Sequence, residues 1–193
     1  MVKTLYLMRH GQTIFNARLK LQGWVDSPLT ARGIEQAKVA RDFYAEREIN
    51  FAKAYSSTSE RASDTLEIVT SMPYTRKKEL KEWHFGSLEA EGTYLLPPSP
   101  YGEFFVDFGG ESEADFRARA AETLLEVMQE TEAGNTLVVA HGALCNQFML
   151  AWQHTSKVTR NGILDNCGIM KFEFDNNKFK LLEIINHNYD HLA

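Results

Sequence analysis

Arg9, His10 and Gly11 stand at the end of an apolar run, and their types suit chemistry on an anion. Arginine is a permanent cation whose planar fork matches phosphate or carboxylate. Histidine titrates near neutrality and can act as nucleophile or general base. The run before them, Leu5-Tyr6-Leu7-Met8, is continuously apolar, as in a strand covered on both faces of a parallel sheet. Gly11 lets the backbone turn tightly. The Arg-His pair is therefore expected at the carboxyl end of a strand, where open α/β sheets bind ligands. Alone, the pattern fits a structural histidine as well. Three other places in the chain add to it.

The first is Thr136-Leu137-Val138-Val139-Ala140, a second buried strand that ends at His141-Gly142. Two such strands side by side would bring His10 and His141 together. The second is Ser56-Ser57-Thr58-Ser59-Glu60-Arg61-Ala62. Ser57 and Glu60 have capping-box spacing, which predicts Ser57 as N-cap and Arg61 in the second turn of a helix. A helix N-terminus attracts anions; a surface arginine beside a plain cap is the alternative. The third is Glu82 in Leu80-Lys81-Glu82-Trp83-His84-Phe85-Gly86. Aromatic neighbours can desolvate that carboxyl, raise its pKa and make it a general acid. An ordinary exposed carboxylate is the alternative.

Positioning these residues requires an alternation of strands and helices. A short helix carrying Asn16 is expected over 13–19, then a loop over 21–28. Trp24 in that loop reads as core or as pocket wall. Thr30 is a good N-cap for a helix whose Ile34, Ala37, Ala40 and Tyr44 share a face. Residues 51–55 form a strand, and the helix after it runs to about Met72, before Pro73. A basic connector with a short strand covers 74–81. From 83 to 116 prolines, glycines and aromatics cluster, which reads as an irregular lid insertion. Ser112 caps a long helix through Phe116, Ala120, Leu124 and Val127, Gly134-Asn135 turns the chain, and a further helix spans 143–152. Residues 166–174 and 179–185 make a hairpin about Asp175-Asn176-Asn177. His187 and His191 read as surface residues. The fold expected is a single α/β domain over 1–193. It is a three-layer sandwich with a mostly parallel mixed central sheet flanked by helices, plus the lid.

Composition narrows the class. The 193 residues are 44% hydrophobic and 24% charged, an ordinary globular balance. The net charge of −5 speaks against a nucleic-acid binder. No apolar run is long enough to span a bilayer, so no membrane partner is expected. Met1-Val2-Lys3-Thr4 leads straight into the first strand, so no signal peptide is expected. Cys145 and Cys167 lack metal-ligand spacing, and reduced thiols in a cytoplasmic protein are the simplest account. The six histidines include no paired zinc motif, so no metal is expected.

These motifs carry a family resemblance. Leu7-Met8-Arg9-His10-Gly11-Gln12-Thr13 with Asn16 resembles the opening motif of the histidine phosphatase superfamily, the phosphoglycerate mutase-like proteins. Leu21-Gln22-Gly23 through Leu29-Thr30-Ala31-Arg32-Gly33 and Gln36-Ala37 is similar to its next block. Ser56-Ser57 with Arg61-Ala62 and Thr65, Leu80-Lys81-Glu82 with Gly86 and Glu89, Gly110-Glu111-Ser112, and Val138-Val139-Ala140-His141-Gly142 follow in the family's order. The resemblance implies His10 as the nucleophile that becomes phosphohistidine, with Glu82 protonating the leaving group and then helping to activate water. It implies His141, Arg9, Arg61, Asn16 and the Gly142 backbone around the phosphate, with Gln22 and Gly23 as substrate-binding residues. It implies no cofactor. Asn166-Cys167-Gly168, where family members vary, is expected to lend backbone near His141.

A metal-independent phosphatase acting on a small phosphate monoester is the activity expected. A cofactor-dependent phosphoglycerate mutase and a non-catalytic module on the same fold are the alternatives. Residues 83–116 contain no lysine or arginine, which counts against a mutase gripping a second anion there, although Lys20, Lys157 and Arg160 can supply charge from elsewhere. The aromatics and carboxylates of that span predict an apolar wall and a negative field at the leaving group; core filling by the same aromatics is the alternative. The oligomeric state, monomer or homodimer, is left open.

Overall fold

Leu5, Leu7, Met8, Leu137, Val138 and Val139 expose none of their surface. The two strands that carry them lie in the middle of a sheet covered on both faces. The computed structural model describes residues 2–156, 158, 164–190 and 192. Its strands are β1 (Lys3–Arg9), β2 (Phe51–Ser57), β3 (Thr75–Lys77), β4 (Asn135–Ala140), β5 (Ile169–Asp175) and β6 (Lys178–Ile185). They form one six-stranded sheet in the order β3-β2-β4-β1-β5-β6. The pairs β1–β4, β2–β4 and β2–β3 are parallel, and β5 and β6 add antiparallel strands. The sheet is thus mostly parallel and mixed, as expected.

Strand alternation sorts the core into two layers. Leu5, Leu7, Val138 and Ala140 pack with Phe116, Ala120 and Leu124 of α4 (Glu113–Glu130) and Leu144 and Phe148 of α5 (Gly142–Ala151). Tyr6, Met8, Leu137 and Val139 pack on the other face with Ala37, Ala40 and Tyr44 of α2 (Ala31–Glu46) and Ala62, Leu66 and Val69 of α3 (Glu60–Val69). Parallel pairing sets Arg9 opposite Ala140, and the His10 N–H donates to Ala140 O at 3.0 Å. The two strands therefore end level. Among the described residues, no helix is long and apolar enough to cross a membrane.

Local signals held at several ends. Thr30 Oγ1 accepts from Gly33 N, and Ser112 Oγ from Asp115 N. The helix after residue 13 is shorter than expected: α1 is Ile14–Ala17, closed by a capping box between Thr13 and Asn16. The turn before β4 is at Gly134 alone, in the left-handed region at φ 86°, while Asn135 opens the strand. The capping box at Ser57 is not formed. β2 runs through Ser57, α3 begins at Glu60 with Ser59 as N-cap, and Arg61 is in its first turn. α3 also stops at Val69, because Thr70 takes an extended backbone and its hydroxyl accepts from Met72 N. His187 is half-buried against Phe43, ring centroids 5.2 Å apart, rather than at the surface. His191, Lys157 and Arg160 lie outside the described residues.

The irregular segment expected over 83–116 ends at Ser112, the N-cap of α4, and it carries short 3-10 turns at Gly86–Leu88, Thr93–Leu95 and Val106–Phe108. Trp83 is buried there in ring contact with both Phe105 and Phe116, themselves buried. Gly33 lets α2 touch the turn after β1: a Cβ at 33 would lie 2.1 Å from Gln12 O. Nothing in that backbone can yield without moving His10. Gly33→Ala should therefore destabilise the fold by roughly 1–3 kcal/mol, the usual cost of overpacking, seen as a Tm lower by several degrees in thermal unfolding. A variant melting with the wild type would show that the contact is slack.

Candidate active site

His10 is held in one tautomer by two groups that leave no choice. Its Nδ1 lies 2.8 Å from Gly11 O, and a carbonyl only accepts, so Nδ1 carries the proton. Arg61 Nε lies 3.2 Å from Nε2, and a guanidinium only donates, so Nε2 keeps its lone pair. Burial, then Arg61, then Arg9, push the His10 pKa well below its ordinary value. The side chain is a neutral imidazole with a nucleophilic nitrogen aimed at a cation.

Arg61 is wholly buried. Its remaining donors go to Val25 O (3.1 Å), Asp26 Oδ1 (2.8 Å), Gln22 O (3.3 Å) and Gly23 O (2.8 Å). The loop 22–26 is thus wrapped around a guanidinium. Gln22 and Gly23 reach the site through their carbonyls. The Gln22 amide itself is engaged with Thr13 and Ser27.

His141 follows β4 as His10 follows β1, and the two rings stand 5.3 Å apart edge to face. Ser57 Oγ accepts from Ser59 N and lies 2.8 Å from His141 Nε2. If Ser57 donates its hydrogen to Nε2, that hydroxyl's bonding is complete and Nδ1 is the N–H of the ring. His141 Nδ1 is buried with no protein partner, and so is Arg9 Nε. Arg9 NH1 donates to Leu164 O at 2.8 Å, and its guanidinium lies against Gly142, where a Cβ would come 3.2 Å from Nε. Burial pushes the His141 pKa well below ordinary, with Arg61 next in effect. Two buried nitrogens without partners, beside a free lone pair, fit an anion whose centre faces Nε2.

Glu82 is buried, and its carboxylate sits on the N-terminus of α5. Oε1 accepts from Trp83 N and Leu144 N, both at 3.0 Å, and Oε2 from Ala143 N at 2.9 Å. Burial raises its pKa above ordinary, opposed by the Ala143 and Trp83 N–H groups and by the two arginines. Oε2 holds the single bond and is the oxygen free to carry a proton.

A cavity of about 570 Å³ is lined by Arg9, Glu82, Gly142 and Ala143, by Trp83, Phe85, Leu96, Tyr101 and Leu164, and by Ser99 and Asn146. The apolar wall is present. None of the acids of residues 83–116, the source of the expected negative field, lines this cavity, and three of them are engaged by other groups. Glu111 pairs with Arg119 at 2.7 Å, Glu113 with Arg117 at 2.7 Å, and Glu89 accepts from the N–H groups of Trp24 and Val25. The aromatics divide: Phe105 and Phe116 fill core, while Phe85 and Tyr101 reach the cavity. Trp24 is half-buried, its ring tilted over His84 at 4.6 Å. Lys20 reaches Ala90 O, away from the cavity lining. Among the described residues, no three His, Cys, Asp or Glu side chains are grouped to hold a metal ion.

The family model "Histidine phosphatase superfamily (branch 1)" matches residues 5–187. This chain belongs to that family. Its relatives include mutases and a phosphatase, and it is an enzyme of the same family. A 2,3-bisphosphoglycerate-dependent phosphoglycerate mutase 2 of Gloeobacter violaceus is 32% identical over 171 residues, 79% of this chain and 76% of the mutase. A metal-independent phosphoserine phosphatase of Arabidopsis thaliana is 29% identical over 164 residues, 77% and 68% of the two chains. Other mutases match over a minor part of their length: one from Nitrosococcus oceani is 36% identical over 44% of this chain and 38% of its own. Among solved structures, a phosphoglycerate mutase from Bacillus anthracis superposes with TM-score 0.82 at 25% identity, covering 95% of this chain and 92% of its own. A phosphoserine phosphatase from Entamoeba histolytica, in complex with 3-phosphoglyceric acid, gives 0.79 at 27%, covering 99% and 100%.

Three residues of this histidine phosphatase escaped the sequence reading. Asp26 binds Arg61 with Oδ1, and its Oδ2 accepts from Glu60 N, so it caps α3 from across the site. Ser57 holds His141 instead of capping a helix. Asn166 donates to His10 O at 3.0 Å and to Asn16 Oδ1 at 3.3 Å. Its segment faces Arg9 and His10 rather than His141, because β5 pairs with β1 and not with β4. Asn16 Oδ1 also accepts from Thr13 N, within the α1 cap.

Asp26→Asn keeps the shape and sets an amide N–H₂ against either Arg61 or Glu60 N. It should cost about 1–3 kcal/mol, the usual penalty for an unsatisfied buried group, and weaken inorganic phosphate as a competitive inhibitor. Urea unfolding with phosphate inhibition checks both, and unchanged values would show that Arg61 needs no counter-charge.

Proposed function

We propose that this chain is a metal-independent phosphatase that hydrolyses a small phosphate monoester through phosphohistidine at His10. The observation that carries the reading is the His10 tautomer, whose Nε2 lone pair faces Arg61 beside the buried, unpartnered nitrogens Arg9 Nε and His141 Nδ1. Nε2 attacks phosphorus, the bond to the leaving oxygen breaks, and that oxygen takes a proton from Glu82 Oε2. Water then attacks the phosphohistidine, gives a proton to Glu82, and the N–P bond breaks to release phosphate. Arg61 Nε–H, bonded to Nε2 at rest, passes to a phosphoryl oxygen when Nε2 bonds to phosphorus. Such transfer depends on positioning and on positive charge around the equatorial oxygens, which Arg9, Arg61 and His141 supply.

The Arabidopsis relative named a metal-independent phosphoserine phosphatase supports hydrolysis. The Gloeobacter relative supports the alternative of a mutase, which requires grip on a second anionic group. Of the described residues lining the cavity, one is a cation, Arg9, and six are apolar or aromatic. An unpaired charge against that wall is costly. We therefore read the substrate as a monophosphate with an aryl, nucleoside or amine-bearing leaving group, in a cytoplasmic enzyme.

His10→Ala should abolish turnover and acid-labile phosphoenzyme while the protein still folds. Turnover near wild type would end the phosphohistidine account. For pH, the nucleophile must be unprotonated and the acid protonated. Activity should rise with pH through the His10 pKa, which lies below 6.5, and fall through that of Glu82, which lies above 4.5. Glu82→Gln should remove the basic limb and cost about a hundredfold to ten-thousandfold with alkyl leaving groups, and less with an aryl phosphate. Equal loss on both would mean that Glu82 only shapes the site. At fixed ionic strength, kcat/KM should favour an aryl phosphate over 3-phosphoglycerate and a sugar bisphosphate. A preference for either polyanion would turn the assignment to a mutase-like site.

A further inference from the structure

The His10 ring takes its orientation from the peptide that follows it, because Nδ1 is held by Gly11 O. That acceptor's position depends on the peptide plane joining His10 to Gly11. The plane is gripped at both edges. Its N–H, on Gly11, donates to Thr65 Oγ1 at 3.0 Å, and Thr65 in turn donates to Arg61 O. Its carbonyl, on His10, accepts from Asn166 Nδ2 at 3.0 Å and from Cys167 N at 3.2 Å.

Asn166 is itself braced. Tyr189 is buried, and its hydroxyl donates to Asn166 O at 2.9 Å. Arg32 of α2 donates to Tyr189 O at 3.5 Å and to Leu192 O at 2.7 Å. The chain after β6 is thereby fixed to α2 and pressed against Asn166. The Asn166 amide offers two hydrogens, one to His10 O and one to Asn16 Oδ1, so it also ties the nucleophile's peptide to the cap of α1.

We propose that Asn166, braced by Tyr189, is a positioning residue for the nucleophile: it fixes the His10–Gly11 peptide and through it the line of Nε2. The inference rests on the phosphohistidine reading and adds a residue outside the substrate's reach. Asn166 meets Asn16 at that residue's carbonyl oxygen, not at the amide N–H₂ that would face an anion, and donates to His10 O rather than to Arg9, Arg61 or His141, so its loss should misdirect attack without weakening the anion site. Misplacement of a reacting atom by about 1 Å costs on the order of a hundredfold. Aspartate at this position would turn a donor into an acceptor facing two oxygens, and it would add charge. The titratable and charged groups facing His10 are Arg61 from α3, Arg9 from β1 and His141 after β4, with Glu82 and Asp165 acting on Arg9. A carboxylate added to this set favours the imidazolium.

The test uses p-nitrophenyl phosphate as substrate and inorganic phosphate as competitive inhibitor. Asn166→Ala should lower kcat and the single-turnover rate of phosphoenzyme formation by roughly tenfold to a hundredfold. KM, the phosphate Ki and the acid limb of the pH profile should stay at wild-type values. Asn166→Asp should lose as much and also move the acid limb to higher pH, since a raised His10 pKa leaves more of the nucleophile protonated. Tyr189→Phe keeps the ring and removes one hydroxyl; a smaller loss, again in kcat, is expected from it, and it serves if Asn166→Ala unfolds. Wild-type kcat in both Asn166→Ala and Tyr189→Phe would overturn the inference. So would a phosphate Ki weakened as much as kcat falls, or an unmoved acid limb in Asn166→Asp. A wild-type enzyme that forms no acid-labile phosphoenzyme would overturn the phosphohistidine reading, and this inference with it. A wild type that forms it at the rate of the variants would overturn this inference alone.

Discussion

A wholly buried guanidinium is the constraint around which this site is arranged. Arg61 cannot give up its charge, and removing that charge from water is tolerated only if its donors find partners. Five acceptors meet it: four from the loop 22–26 and the fifth the lone pair of His10. The loop has its shape because the guanidinium needs carbonyls on one side. Gly23 is glycine because the loop must also touch Trp83, where a Cβ would come 2.2 Å from the carbonyl oxygen. Asp26 supplies the opposite charge and at the same time caps the helix that carries Arg61. Helix, loop and nucleophile are one electrostatic unit.

That unit sets the state of both histidines. Neither buried ring gains a proton easily beside Arg61 and Arg9, which favours the neutral form of both, and Gly11 O with Arg61 Nε fixes the tautomer of His10. A neutral imidazole with a directed lone pair is a nucleophile, whereas an imidazolium would merely be a third cation. In the proposed reaction the arginines act twice, first by excluding the proton and then by receiving the anion that the lone pair attacks.

The frame was legible in the sequence because it is written in periodicity. The apolar runs 5–8 and 136–140 can lie only in covered central strands, and each ends in a histidine followed by glycine. Glu82 was legible through its aromatic neighbours. Asp26, Ser57 and Asn166 were not, because each is a common polar residue whose partner is distant in sequence: Arg61, His141 and His10. The Ser57–Glu60 spacing was misleading for a physical reason. A local cap competes with the distant carboxylate of Asp26, and tertiary structure supplied the better acceptor, leaving Ser57 to its histidine. The acids of residues 83–116 misled similarly, since Arg117 and Arg119, which bind Glu113 and Glu111, lie just beyond that span.

Glu82 shows how opposing effects can be useful together. Burial favours its protonated form, while the N-terminus of α5 and three backbone N–H groups favour the carboxylate. In the resting acid those N–H groups face an oxygen with reduced charge, and their attraction is not fully realised. In the proposed reaction, as the proton moves to the leaving oxygen, negative charge grows on the carboxyl where the donors already point. The hydrogen bonds therefore strengthen along the reaction coordinate, and an interaction stronger in the transition state than in the ground state is the kind that raises the rate. The helix that carries Ala143 and Leu144 begins at Gly142, directly after His141, so the strand end that positions one histidine also begins the helix that stabilises the Glu82 carboxylate. Moving α5 by a fraction of a residue would disturb His141, Gly142 and Glu82 at once, which is why the core beneath it, Leu144 and Phe148 against Phe172 and Phe179, is packed without exposure.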